Sequence, residues 1–93
     1  MRIIGYIEHP HLKITVFRMD ERVSVKFENA LYELTFKLGQ DERLATLENV
    51  RQWVDAAFVE QVLDHFQQMH KTRMGAMARA FPLEEHDVFE EII

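Results

Sequence analysis

Apolar and polar residues alternate through the first forty positions of the chain. Val23, Val25 and Phe27 are separated by Ser24 and Lys26, and Tyr32, Leu34, Phe36 and Leu38 by Glu33, Thr35 and Lys37. A period of two marks a strand with one face buried. The two runs change phase between Phe27 and Tyr32, which predicts a hairpin. A two-residue loop at Asn29-Ala30 would pair Phe27 with Tyr32, Val25 with Leu34 and Val23 with Phe36. It would also set Lys26 against Glu33 and Ser24 against Thr35 on the other face, so each pair is chemically matched. Asn tolerates the left-handed backbone of such turns, whereas Ala30 suits it less well than Gly and leaves room for a longer loop.

Upstream, Leu12, Ile14 and Val16 form another apolar row. A tight turn at Asp20-Glu21 would bring Val16 beside Val25 and Ile14 beside Phe27. The first strand is apolar on both faces. An even loop through His9-Pro10-His11 turns Ile3, Gly5 and Ile7 to the core and leaves Ile4, Tyr6, Thr15 and Phe17 outside; an odd loop buries Ile4 and Tyr6 instead. The expectation is a four-stranded antiparallel meander over about 2–8, 12–19, 22–28 and 31–38.

Beyond Gly39 the period lengthens. Leu47, Val50, Val54 and Ala57 recur at three and four, with Thr46 as N-cap and Glu48 in the first turn. Val59, Val62, Leu63, Phe66, Met69, Arg73 and Met77 form a second stripe. The stripes differ by roughly a third of a turn, so one straight helix cannot lay both on one sheet. This predicts two helices, over about 46–55 and 56–80, broken near Asp55, with Trp53 at the corner. Strands followed by helices place the chain in the α+β class, as a single domain over 1–81 with an acidic amphipathic tail over 82–93. A helix of ~20 residues spans about 30 Å and a six-residue strand only about 20 Å. The far end of the second helix, with Met69, Met74, Met77 and Phe81, is therefore expected to outreach its own sheet.

Composition adds modest constraints. The chain has 93 residues, 47% hydrophobic and without cysteine, which suits one globular domain and removes disulfides, thiolate nucleophiles and Cys-ligated zinc. The amino-terminal apolar run is too short for a signal peptide and no stretch approaches a membrane span, so a soluble cytoplasmic protein is expected. The net charge of −5 is uneven: Glu84, Glu85, Asp87, Glu90 and Glu91 lie in 82–93, leaving residues 1–81 balanced. A neutral body offers no general field for phosphate.

Candidate chemistry is sparse. His9 and His11 flank Pro10 and point the same way in an extended chain, so they could start a metal site, but zinc needs further ligands and none stands at a diagnostic spacing. Pro10 is equally a turn residue. His65 and His70 are about 140° apart on a helix and are no zinc pair. Ser24 is the lone serine, and Gly5, Gly39 and Gly75 are too scattered for a phosphate loop, so the sequence presents no catalytic constellation and implies no cofactor. Tyr6 and Phe17, near Arg2, Lys13, Arg18 and Lys26, could stack nucleobases on the outer sheet face, though Glu28 and Glu33 dilute that charge. Nucleic acid is the weaker alternative to a protein interface there.

The tail is acidic yet carries Leu83, Val88, Phe89, Ile92 and Ile93, more apolar mass than a solvating terminus needs. Such a segment suits docking against an apolar stripe with a basic rim, as the Met-rich helix end provides with Lys71, Arg73 and Arg79, in the same chain or in a protein partner. The leading expectation is a small self-associating interaction module, a homodimer, using Ile4, Tyr6, Phe17, Met69, Met74, Met77, Phe81, Phe89 and Ile92. The alternatives are a metal or small-ligand site at His9 and His11, and nucleic-acid binding on the outer sheet face.

Overall fold

The computed structural model describes residues 1–82. Four strands, β1 (Arg2–Ile7), β2 (Lys13–Met19), β3 (Arg22–Glu28) and β4 (Glu33–Gly39), form one antiparallel sheet in the order β1-β2-β3-β4. A 3₁₀ turn over Glu42–Leu44 follows, then the helices α1 (Leu47–Trp53) and α2 (Ala56–Ala80). The protein is an α+β domain whose helices cover one sheet face.

The β2–β3 hairpin has the expected register: Ile14 pairs with Phe27, Val16 with Val25 and Met19 with Arg22, around a two-residue turn. Asp20 adopts φ 58° there, the left-handed region that Asp enters more readily than most residues.

The β3–β4 register departs from expectation by two residues. Phe27 faces Leu34, Val25 faces Phe36, Lys26 faces Thr35 and Glu28 faces Glu33. The loop is Asn29–Tyr32, and Asn29 acts through its side chain and not through left-handed backbone. Its Oδ1 accepts from the Leu31 and Tyr32 amides at 2.9 and 2.8 Å, and its own N–H donates to the Tyr32 carbonyl at 3.0 Å. A shift of two preserves which face each side chain takes, so the core composition is unchanged. The like charges of Glu28 and Glu33 are tolerated because Lys26 Nζ lies 3.6 Å from one and 3.9 Å from the other.

Strand β1 follows neither simple alternative. Ile7 pairs with Ile14 and Gly5 with Val16, the even-loop phase, but a bulge at Ile4 then resets the register so that Ile3 pairs with Phe17. Ile4 therefore packs against the core, while Ile3 joins Tyr6 on the outside. The extra bulge residue lets a strand with two apolar faces send one side chain of each kind where it fits.

Leu12, Ile14, Val16, Val23, Val25 and Phe27 bury the sheet side of the core, against Val50, Val54, Val62 and Phe66 from the helices. Gly5 permits the approach of α1: a Cβ there would sit inside contact distance of Leu47 Cδ2. Thr46 caps α1, its Oγ1 accepting from Asn49 N at 3.1 Å. Asp55 caps α2, accepting from Phe58 N at 2.8 Å, with Val54 held outside helical geometry. This is the expected break. Trp53 and Phe58 meet at the corner with ring centroids 4.6 Å apart. Ala57, expected on the buried face of α1, is exposed because α2 begins a new phase at Asp55.

Candidate interaction surfaces

Helix α2 starts on the sheet and leaves it. Phe58 stacks on Phe27 at 5.5 Å, Val62 and Phe66 are buried, and Phe66 lies against Tyr32. The Tyr32 hydroxyl is hydrogen-bonded to His70 Nδ1 at 2.9 Å, with the rings edge-on. The remaining turns project past the sheet. Twenty-five residues of helix extend about 37 Å, against about 23 Å for a seven-residue strand. On the projecting turns Met74, Met77 and Phe81 are 52%, 46% and 70% exposed. Met69 is different, half-buried and packed against the core.

A second surface lies beside β4. Phe27, Val16 and Val25 are fully covered, but Leu34, Phe36 and Leu38 of β4 are only half-buried. The reason is width: four strands at about 4.8 Å spacing are wider than the ~10 Å cylinder of one helix, and α1 sits towards β1. The result is an open groove of ≈ 660 Å³, floored by Tyr32, Leu34 and Phe36 and walled by His65, Gln68, Met69, Thr72 and Arg73 of α2. Sequence periodicity did not reveal this groove, because β4 alternates like a strand with a fully covered face. Counting strands against helices was the available signal.

The outer sheet face is a third surface. Ile3 and Tyr6 are each half exposed, Phe17 is partly buried, and Lys13 Nζ stands 5.9 Å from the Tyr6 ring centroid. The structure thus places Tyr6 and Phe17 on one face, with Ile3 in the position expected for Ile4. Lys26 is engaged by Glu28 and Glu33, which lowers the positive field of that face.

His9 and His11 stand with ring centroids 6.0 Å apart, and the His11 amide donates to His9 Nδ1 at 3.1 Å. That bond closes the β1–β2 turn and occupies one of the His9 nitrogens. Among the described residues no cluster of three or more His, Cys, Asp or Glu side chains could hold a metal. His65 and His70 lie on different sides of α2, one lining the groove and the other bonded to Tyr32. Among the described residues the strongest charge effect is local: hydrogen bonds from the Arg43 guanidinium and then its amide hold the Asp41 carboxyl at about 2, below the usual 3.8. Asp41 caps the 3₁₀ turn, and its Arg43 partner is part of that same turn, so the lowered pKa follows from local capping. Among the described residues no helix is long and apolar enough to cross a membrane. Phe89 and Ile92, expected at the interface, lie outside the described residues.

No family model, no curated protein and no solved structure matches the chain. The surfaces themselves carry the functional reading.

Proposed function

We propose that the chain is a small interaction module that self-associates through the projecting end of α2. The observation that carries this reading is the exposure of Met74, Met77 and Phe81 on turns with no sheet beneath them. At about 100° per residue these three side chains fall within roughly 60° of one another, a single apolar strip. Methionine strips adapt well to partner surfaces. A two-fold, antiparallel crossing near Met77 sets Met74 of one copy at the level of Phe81 of the other, so the strip complements itself. The outer sheet face, with Ile3, Tyr6 and Phe17, is the second apolar surface open to the same assembly.

Light scattering on the full chain at high micromolar concentration tests the reading. The expected mass is twice that of the 11.1 kDa chain. The double variant Met74→Lys, Phe81→Lys is expected to be monomeric with an unchanged circular dichroism spectrum. Tyr6→Ser with Phe17→Ser should leave the mass doubled. Reversal of those two results moves the interface to the outer sheet face, and a monomeric native chain refutes self-association.

A further inference from the structure

We infer that the groove between β4 and α2 is occupied by the chain's own acidic carboxy-terminal segment, residues 83–93, which lie outside the described residues. Four observations converge on this occupant.

The groove has an apolar floor in Leu34 and Phe36 and a basic wall in Arg73. Its line continues along the projecting turns: at about 100° per residue, Ala76 and Ala80 follow Met69 on one side of α2, flanked by Arg73 and Arg79. Alanine leaves room for a chain to approach the helix, and Arg73 and Arg79 occupy helix positions on either side of that track. Met74, Met77 and Phe81 lie roughly 80–140° away around the same helix, so filling the groove leaves the strip used for self-association free.

Charge is complementary. Residues 65–82 contain Lys71, Arg73 and Arg79 and no acid, whereas 83–93 contain Glu84, Glu85, Asp87, Glu90 and Glu91 and neither Lys nor Arg. The segment's Leu83, Val88, Phe89, Ile92 and Ile93 supply apolar mass for the floor. An apolar stripe with an acidic border on a groove with a basic border is a common recognition mode.

Reach is sufficient. From His65 to Phe81 the helix rises about 24 Å, and eleven extended residues span about 36 Å. Pro82 cannot continue the hydrogen-bonded helix, so the chain can reverse there. Tethering decides between this chain and a second copy: a short linker holds the segment near its groove at an effective concentration in the millimolar range, above that of free protein.

The test is amide chemical shifts of the full chain, native against Phe89→Asp with Ile92→Asp, at low and high protein concentration. The amides of Leu34, Phe36, Met69, Thr72 and Ala76 are expected to shift equally at both concentrations, while Val16 and Val25 stay in place. Arg73→Glu with Arg79→Glu should reproduce the change at Leu34 and Phe36, and high salt should reduce the difference from the native chain. The second pair also decides the matter if the first disturbs the whole spectrum. Unmoved groove amides overturn the inference, and so do shifts that appear only at high concentration, because a second copy then supplies the segment. Light scattering on the same samples keeps this outcome separate from self-association, which a filled groove does not require.

Discussion

At the scale of single residues, two glycines are required for unlike reasons. Gly39 has φ 69° and nothing within 4 Å of where a Cβ would stand, so its constraint is purely the left-handed backbone. Gly39→Ala is expected to lower unfolding free energy by about 1 kcal/mol, the usual scale of that strain. Gly5 has no unusual backbone; its Cβ would collide with the Leu47 side chain. Gly5→Val should therefore cost more, about 1–3 kcal/mol by overpacking, and the Leu47→Ala background should recover part of it. Urea melts of the native chain, the three single variants and the Gly5→Val, Leu47→Ala double variant distinguish the cases. Asp41 gives a pH signature. Its pKa is depressed in the folded protein, to about 2 from 3.8, by hydrogen bonds from Arg43. Its contribution is complete above about pH 4 and is lost as pH falls through about 2. Asp41→Asn should therefore flatten the acid limb of the stability profile between those values while leaving its shape near neutrality unchanged.

At the scale of elements, capping side chains set the boundaries. Asp55 stops α1 from running into α2 and starts the second helix in a new phase, so that Val50 and Val54 on one side and Val62 and Phe66 on the other all reach the same core. Asp55→Ala should lower stability by about 1 kcal/mol, the ordinary value of an N-cap, and raise hydrogen exchange at Phe58 before other helical amides. The hairpin between β3 and β4 follows the same logic: Asn29 spends its carboxamide oxygen on two loop amides, and the loop becomes four residues long. Chemical matching of Lys26 with Glu33 predicted a shorter loop. The actual pairing keeps that contact as a diagonal one at 3.9 Å, so cross-strand charge alone does not determine register.

At the scale of the whole molecule, one long helix leaves two kinds of unfinished surface. Its end projects beyond the sheet, and its width leaves β4 half covered. The self-association proposed for the first surface would make stability depend on protein concentration. The melting temperature of the native chain is expected to rise with concentration, and that of Met74→Lys, Phe81→Lys to stay constant. Differential scanning calorimetry at several concentrations measures both. A concentration-independent native chain would argue against the projecting helix end as a dimer contact.

Much of this architecture is local and therefore legible along the chain. Alternation at period two marks β2, β3 and β4, the change to a three-four period marks α1 and α2, and Thr46 and Asp55 are recognisable caps because their short oxygens bond amides three residues away. The overhang of Met74, Met77 and Phe81 follows from arithmetic on helix and strand lengths. What the sequence could not determine are the choices among locally equal options. Strand β1 is apolar on both faces, and the tight approach of Leu47 at Gly5, with a bulge at Ile4, sends Ile4 inward and Ile3 outward. The β3–β4 register has two solutions with the same buried face, and side-chain capping by Asn29 selects one. The groove beside β4 exists because α2 crosses the sheet along one path and not another. Period and propensity act between residues that are neighbours in sequence, whereas register, bulges and grooves are set by which distant surfaces fill the same space.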